Sequence, residues 1–446
     1  MNIKEAKDEI AHTLEAYFSK NEMGAYRIPR IHQRPILLMG PPGIGKTAIV
    51  EQVAREKKIA FVSYTMTHHT RQSAIGLPFI REKEYGGKSY SVTEYTMSEI
   101  IASVYDEMEE SGCKEGILFI DEINCVSETL APTMLQFLQE KAFGNHKIPE
   151  GFMIVAAGNP PEYNKSVREF DVVTRDRVRE ISIEEDIAVW KDYAYLKKIH
   201  GAILSYLEIK KSDFYVIETS VDGTYYVTAR GWEDLSQIMR VYETLDLPIT
   251  EALILEYINH PRVAKHFANY YVLYQKYGEE YHIEQILAGG MDEHTLLRAQ
   301  EAAFDEKISV IGLLLERLGE DFKDSYEIDQ LVTQRFEQLK QEHKSTKDKA
   351  SEAEFEKKRE KFLLETKQRE SQIEDTKQKL SHAFYFVEKA FGNSQEMVVF
   401  LSELTRNFFS MQFISENGSE DYYKYSDMLL FQEERQRLLQ EIKETD

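Results

Sequence analysis

Four short apolar runs punctuate the first part of the chain: Ile36-Leu37-Leu38-Met39, Ile59 to Tyr64, Ile117-Leu118-Phe119-Ile120 and Met153-Ile154-Val155-Ala156-Ala157. None alternates cleanly with polar residues, which is the pattern of strands covered on both faces in a parallel sheet. Helical patterns lie among them. Ile3, Ile10, Leu14 and Tyr17 or Phe18 share one side of a helix over about residues 3 to 20, and helical sequence runs from Thr47 to about Lys57. Apolar runs alternating with helices predict a three-layer α/β domain built on a mainly parallel sheet.

Two insertions break this rhythm. Residues about 66 to 97 contain Tyr85-Gly86-Gly87-Lys88, a hairpin turn between β-prone stretches, and Phe143 to Pro149 reads as a smaller hairpin. Beyond Glu184 the pattern is mostly helical, with one hairpin made by Tyr215-Val216-Ile217 and Tyr225-Tyr226-Val227 around Asp222-Gly223. From Phe336 to about Lys379 the chain is rich in Glu, Lys, Gln and Asp and lacks Pro and Gly. That composition predicts a long exposed helix, or half of a helical hairpin, rather than disorder. Apolar density returns from Ala383 to Phe391 and from Met397 to Phe413, so the chain is expected to fold back onto a core. The expected organisation is an α/β core over 1–185, a mainly helical lid over 186–320, and a charged helical or coiled-coil extension over 321–446 packing on a small core.

Length agrees, since 446 residues exceed one ordinary core. Net charge is −22, which argues against a general binder of nucleic-acid backbone. Cys113 and Cys125 are the only cysteines, so a disulfide framework and a cysteine metal knuckle are excluded. The start, Met1-Asn2-Ile3-Lys4-Glu5-Ala6, lacks a signal-like apolar stretch, and no run of about 18 apolar residues occurs. A cytoplasmic protein without membrane contact is the expectation.

The chemistry begins at Gly40-Pro41-Pro42-Gly43-Ile44-Gly45-Lys46-Thr47, between an apolar strand and a helix that continues through Ala48. This is a phosphate-binding loop: glycines let consecutive N–H groups turn around phosphate oxygens, and the helix start adds its positive end. Lys46 would reach the β- and γ-phosphates and Thr47 would ligate magnesium. The run Ile117 to Ile120 ends in Asp121-Glu122. A carboxylate there points into the crevice where α/β ligands bind, so Asp121 would hold Mg2+ and Glu122 would polarise water. Asn159, after the fourth run, is a neutral amide suited either to a γ-phosphate or to a Pro-bounded turn.

The segments GPPGIGKT, ILFIDEIN, IPEGFMIVAAGNPPEYN, VTRDRVR and TARGW together resemble the AAA+ ATPases, and within them the MoxR-like branch. The likeness covers about residues 20 to 260, and both insertions match that branch's helix-2 insert and pre-sensor hairpin. The resemblance implies ATP as the nucleotide, Asn159 as sensor 1, Arg177 as an arginine finger supplied to a neighbouring subunit, and Arg230 as sensor 2 opening the lid. Val178 stands where the family usually has Phe after Asp-Arg, and Arg175 and Arg179 flank the finger, so all three arginines are candidates. It further implies a homo-oligomer, a hexameric ring, that remodels a protein carrying a von Willebrand factor A domain. A nucleic-acid motor and an ATP-gated scaffold with negligible turnover are the competing readings. Other features read as structural: His68-His69 as loop residues, and Tyr270, Tyr271, Tyr274, Tyr277 and Tyr281 as lid packing. The charged helix reads as a solvated face, with a partner-docking arm as the alternative.

Overall fold

A computed structural model describes residues 1–66, 76–143, 145–163, 170, 172–220, 223–345 and 349–427; at 173, 342–345 and 349–354 it describes the backbone alone. His68, His69 and Asp222 lie outside the described residues. The chain divides into two compact units, one of Met1–Val189 with Thr228–Arg230, the other of Trp190–Val227 with Gly231–Asp446.

The first unit opens on α1 (Ile3–Phe18), started by a capping box in which Asn2 and Glu5 satisfy each other's backbone N–H groups. There follow β1 (Ile36–Met39), α2 (Lys46–Lys57), β2 (Ala60–Thr65), β3 (Pro78–Tyr85) and β4 (Lys88–Tyr95). Next come α3 (Glu99–Ser111), β5 (Gly116–Asp121), α4 (Ala131–Glu140), β6 (Ala142–Phe143), β7 (His146–Lys147), β8 (Phe152–Gly158), α5 (Val172–Arg175) and β9 (Arg179–Ser182). β1, β2, β5, β8 and β9 form one parallel sheet in the order β2-β5-β8-β1-β9.

The continuous apolar runs are explained by what covers each face. Ile36, Leu38, Ile117, Phe119, Met153, Val155 and Ala157 pack with Ile10 and Leu14 of α1 and Val50 and Val53 of α2. Their neighbours Leu37, Leu118, Ile120, Phe152, Ile154 and Ala156 pack with Ile101 and Val104 of α3 and Met134 and Phe137 of α4. Period-two alternation is therefore present, but both faces are apolar, as in a three-layer sandwich. The two insertions are antiparallel hairpins, β3–β4 closing at Tyr85↔Lys88 and β6–β7 pairing Phe143 with His146.

The second unit is helical apart from the hairpin Val216–Ser220 with Gly223–Val227. Tyr270, Tyr271, Tyr274 and Tyr281 are buried, and the last three donate their hydroxyls to Glu243, Glu316 and Glu306 at 2.8, 2.9 and 2.8 Å. These rings are packing, with each polar tip satisfied.

Of the two expectations for Phe336 to Lys379, one long exposed helix or half of a helical hairpin, the structure takes the hairpin, formed by the helices Phe304–Ser345 and Lys349–Phe391. They run antiparallel, with Lys379 against Asp321 at 2.8 Å, Ser325 against Thr376 at 3.1 Å and Phe336 against Phe362 at 6.0 Å between ring centroids. Pairing buries Val332 and Leu380, whereas Phe336 and Leu363 stay exposed on the outer part of the hairpin. The domain limit expected near residue 320 falls inside the first of these helices. One cluster takes Ile308, Leu314 and Phe322 together with Phe384, Phe400 and Phe413, so both sides of that limit share a core. Among the described residues no helix is long and apolar enough to cross a membrane.

Candidate functional site

Strand order assembles the site. Because β8 lies between β1 and β5, the segments leaving their C-terminal ends emerge side by side, where open α/β sheets bind ligands.

Gly45, at the N-cap of α2, has φ 95°, a left-handed conformation that glycine enters without steric cost. It brings no capping side chain, so the first N–H groups of α2 stay available to an anion at the positive end of the helix. Lys46, the next residue, is only 8% exposed. Its Nζ donates to the carbonyls of Gly40 and Pro41 and to Asn159 Oδ1, each at 2.8 Å. Burial pushes its pKa down to about 8; the nearby Asp121 and Glu122 raise it and Arg230 lowers it further.

Asp121 ends β5 and uses both carboxylate oxygens. Oδ2 accepts from Thr47 Oγ1 at 3.0 Å, and Oδ1 accepts from the N–H of Glu122 at 2.9 Å. Glu122 sits at φ 54°, an uncommon conformation for a residue with a Cβ, and is half-buried. The Thr47 hydroxyl and Asp121 carboxylate are hard oxygen donors, the type that magnesium selects. No group of three or more His, Cys, Asp or Glu side chains is gathered for a metal among the described residues. A magnesium ion would therefore take its other ligands from phosphate and water, as this ion commonly does.

Asn159, following β8, is held by a residue that motif reading passed over. Asn124, 3% exposed, donates from Nδ2 to the Asn159 carbonyl at 2.7 Å, while its Oδ1 accepts the Asn159 N–H at 3.3 Å. The available signal was a polar residue between Ile123 and Val126, both of which are buried. Arg230 is exposed in the first turn of the helix Ala229–Thr244, and its N–H donates to the Gly43 carbonyl at 3.2 Å. Thus Lys46, Thr47, Asp121, Glu122, Asn159 and Arg230 gather in one place.

The three arginines near α5 are held differently. Arg175 makes a two-pronged ion pair with Glu180 at 2.8 and 3.0 Å. Arg179 pairs with Glu9 and donates to Thr13 at 2.6 Å. Arg177, exposed, donates instead to the neutral amide oxygen of Gln139 on α4.

Residues 36–177 match the family model described as the ATPase family associated with various cellular activities (AAA). No curated protein matches the chain. The matched stretch spans the phosphate loop, both acids of the pair, Asn159 and Arg177, and over it the chain is similar to the AAA domain of P-loop ATPases.

Proposed function

We propose that this protein is a MoxR-like AAA+ ATPase that hydrolyses ATP in a hexameric ring and uses its helical second unit to remodel a partner protein. One observation carries the ring. A single chain gathers the phosphate loop, acid pair and Asn159, whereas exposed Arg177 has, among the described residues, a neutral side-chain partner in Gln139 and no acidic one. Given to a neighbour, that guanidinium would stabilise charge on the transferring phosphoryl group. In this reading Lys46 binds the phosphates, Thr47 and Asp121 hold Mg2+, Glu122 activates water, Asn159 orients it, and Arg230 reports the γ-phosphate to the lid. Donation from one subunit to the next requires a head-to-tail contact, which forms a ring when the rotation between subunits closes.

The test mixes two inactive variants. Glu122→Gln and Arg177→Ala should each lose turnover, yet a one-to-one mixture should regain roughly a quarter of it, because one site in four combines its own Glu122 with a neighbour's Arg177. A mixture as inactive as its parts, together with a rate per subunit that is flat on dilution, would sink the ring. Equal turnover in wild type and Glu122→Gln would favour the scaffold reading. Stimulation by DNA or RNA at physiological salt would favour the motor, against the net charge of −22.

For the partner, a von Willebrand factor A domain protein is the proposal, supported by the motif resemblance. Capture with the Glu122→Gln variant in ATP checks it; absence of such a protein from the captured set would remove it.

A further inference from the structure

We infer that Asn124 is a positioning residue for ATP turnover, acting through Asn159; this rests on the ATPase reading above. β5 and β8 pair in parallel as far as Ile120↔Ala156, and the ladder is carried one step further by the Ile123 N–H donating to the Ala157 carbonyl at 3.0 Å. Past that point the chain after β5 turns, with Glu122 in its left-handed conformation and the Cys125 N–H donating to the Glu122 carbonyl at 2.9 Å. The backbone can no longer pair with residue 159. The Asn124 side chain takes over, because a carboxamide carries the same donor and acceptor as a peptide group. It bonds both the carbonyl and the N–H of Asn159, at 2.7 and 3.3 Å.

This pairing satisfies the main chain of Asn159 without using its side chain. The Asn159 carboxamide is left to face Lys46, 2.8 Å away, and with it the phosphate position. The fit is tight. A Cβ on Gly158 would lie 2.7 Å from Asn124 Oδ1, so only glycine there admits the amide. Because Glu122 and Asn124 belong to one short turn, the water-activating carboxylate and the sensor amide are mounted on a common support.

The experiment is a double-mutant cycle on full-length protein with Mg-ATP, read as kcat and KM. Asn124→Ala should lower kcat about tenfold to a hundredfold, by the leverage that misplacing a catalytic group has on rate, while KM changes less than threefold. Asn159→Ala should do the same, and the double variant should be no slower than Asn159→Ala alone, since the two act as one unit. Binding of a fluorescent ADP analogue at wild-type affinity establishes that Asn124→Ala is folded. Failure to bind is answered by Asn124→Asp, which keeps the acceptor but sets a carboxylate against the Asn159 carbonyl and should depress kcat with binding intact. Multiplicative losses in the double variant, or an Asn124→Ala kcat within twofold of wild type, would overturn the inference. Glu122→Gln run alongside separates the two claims. Turnover indifferent to Glu122 overturns the ATPase reading and this inference with it, whereas Glu122-dependent turnover indifferent to Asn124 overturns this inference alone.

Discussion

At the scale of single residues, the site is built from groups held at some cost to stability. Lys46 is buried, and its pKa falls from 10.5 to about 8. For a depressed lysine, the folded state sheds its proton before the unfolded state does. Lys46 therefore makes the nucleotide-free protein more stable as pH rises from about 8 towards 10.5. The shift corresponds to about 3 to 4 kcal/mol, at 1.36 kcal/mol per unit. Lys46→Met should accordingly raise the melting temperature of the nucleotide-free protein while abolishing ATP binding. An unchanged or lower melting temperature would show that the three acceptors around Nζ already offset burial. A bound polyphosphate should restore the charged amine, so ATP binding at pH 8 to 9 should take up protons. Calorimetry in two buffers of different ionisation enthalpy measures this; identical apparent enthalpies would refute it. Gly158→Ala tests the space beside Asn124, where a Cβ would come within 2.7 Å of Oδ1. It should depress turnover without changing the fold seen by circular dichroism.

At the scale of elements, the helices Phe304–Ser345 and Lys349–Phe391 show two kinds of ion pair on one scaffold. Asp321 is buried, and Lys379 holds it at 2.8 Å. Removing Lys379 strands a buried carboxylate, so Lys379→Ala should cost about 3 kcal/mol in denaturant unfolding. Lys340 and Glu337, both more than half exposed at 3.6 Å, should cost under about 0.5 kcal/mol when broken. Equal losses at the two positions would contradict this ranking. Phe400, fully buried beside Phe384, anchors the same unit, and Phe400→Ala should cost about 3 to 5 kcal/mol.

At the scale of the whole molecule, charge governs association. Each chain carries a net charge of −22, so like chains repel at low ionic strength. If the protein forms a ring, assembly should strengthen as salt rises towards physiological levels, where the Debye length shortens to about 8 Å. Light scattering with ATP across 20 to 200 mM salt checks this. Assembly that weakens steadily with salt would point to subunit contacts dominated by attractive ion pairs. Thr228–Arg230 cluster with the first unit although the chain on either side belongs to the second.

Features that depend on neighbouring residues were legible in the sequence. The apolar runs specified strands buried on both faces, the Gly-Gly turn specified the β3–β4 hairpin, and the glycines before Lys46 specified an anion loop, because each is decided by local backbone sterics and period. Contacts made at a distance were not legible. Lys46 and Asn159 lie 113 positions apart, and Thr47 and Asp121 lie 74 apart; they meet only because β8 inserts between β1 and β5. Asn124 gained meaning only when the turn after β5 placed its amide against residue 159. The arginines near α5 look alike in sequence, and only their partners Glu180, Gln139 and Glu9 distinguish them. Likewise, a run of good helix formers could not say where one helix stops and the next begins. That division followed from pairing two limbs so that Val332 and Leu380 are buried and Lys379 meets Asp321, contacts that exist only in the folded chain.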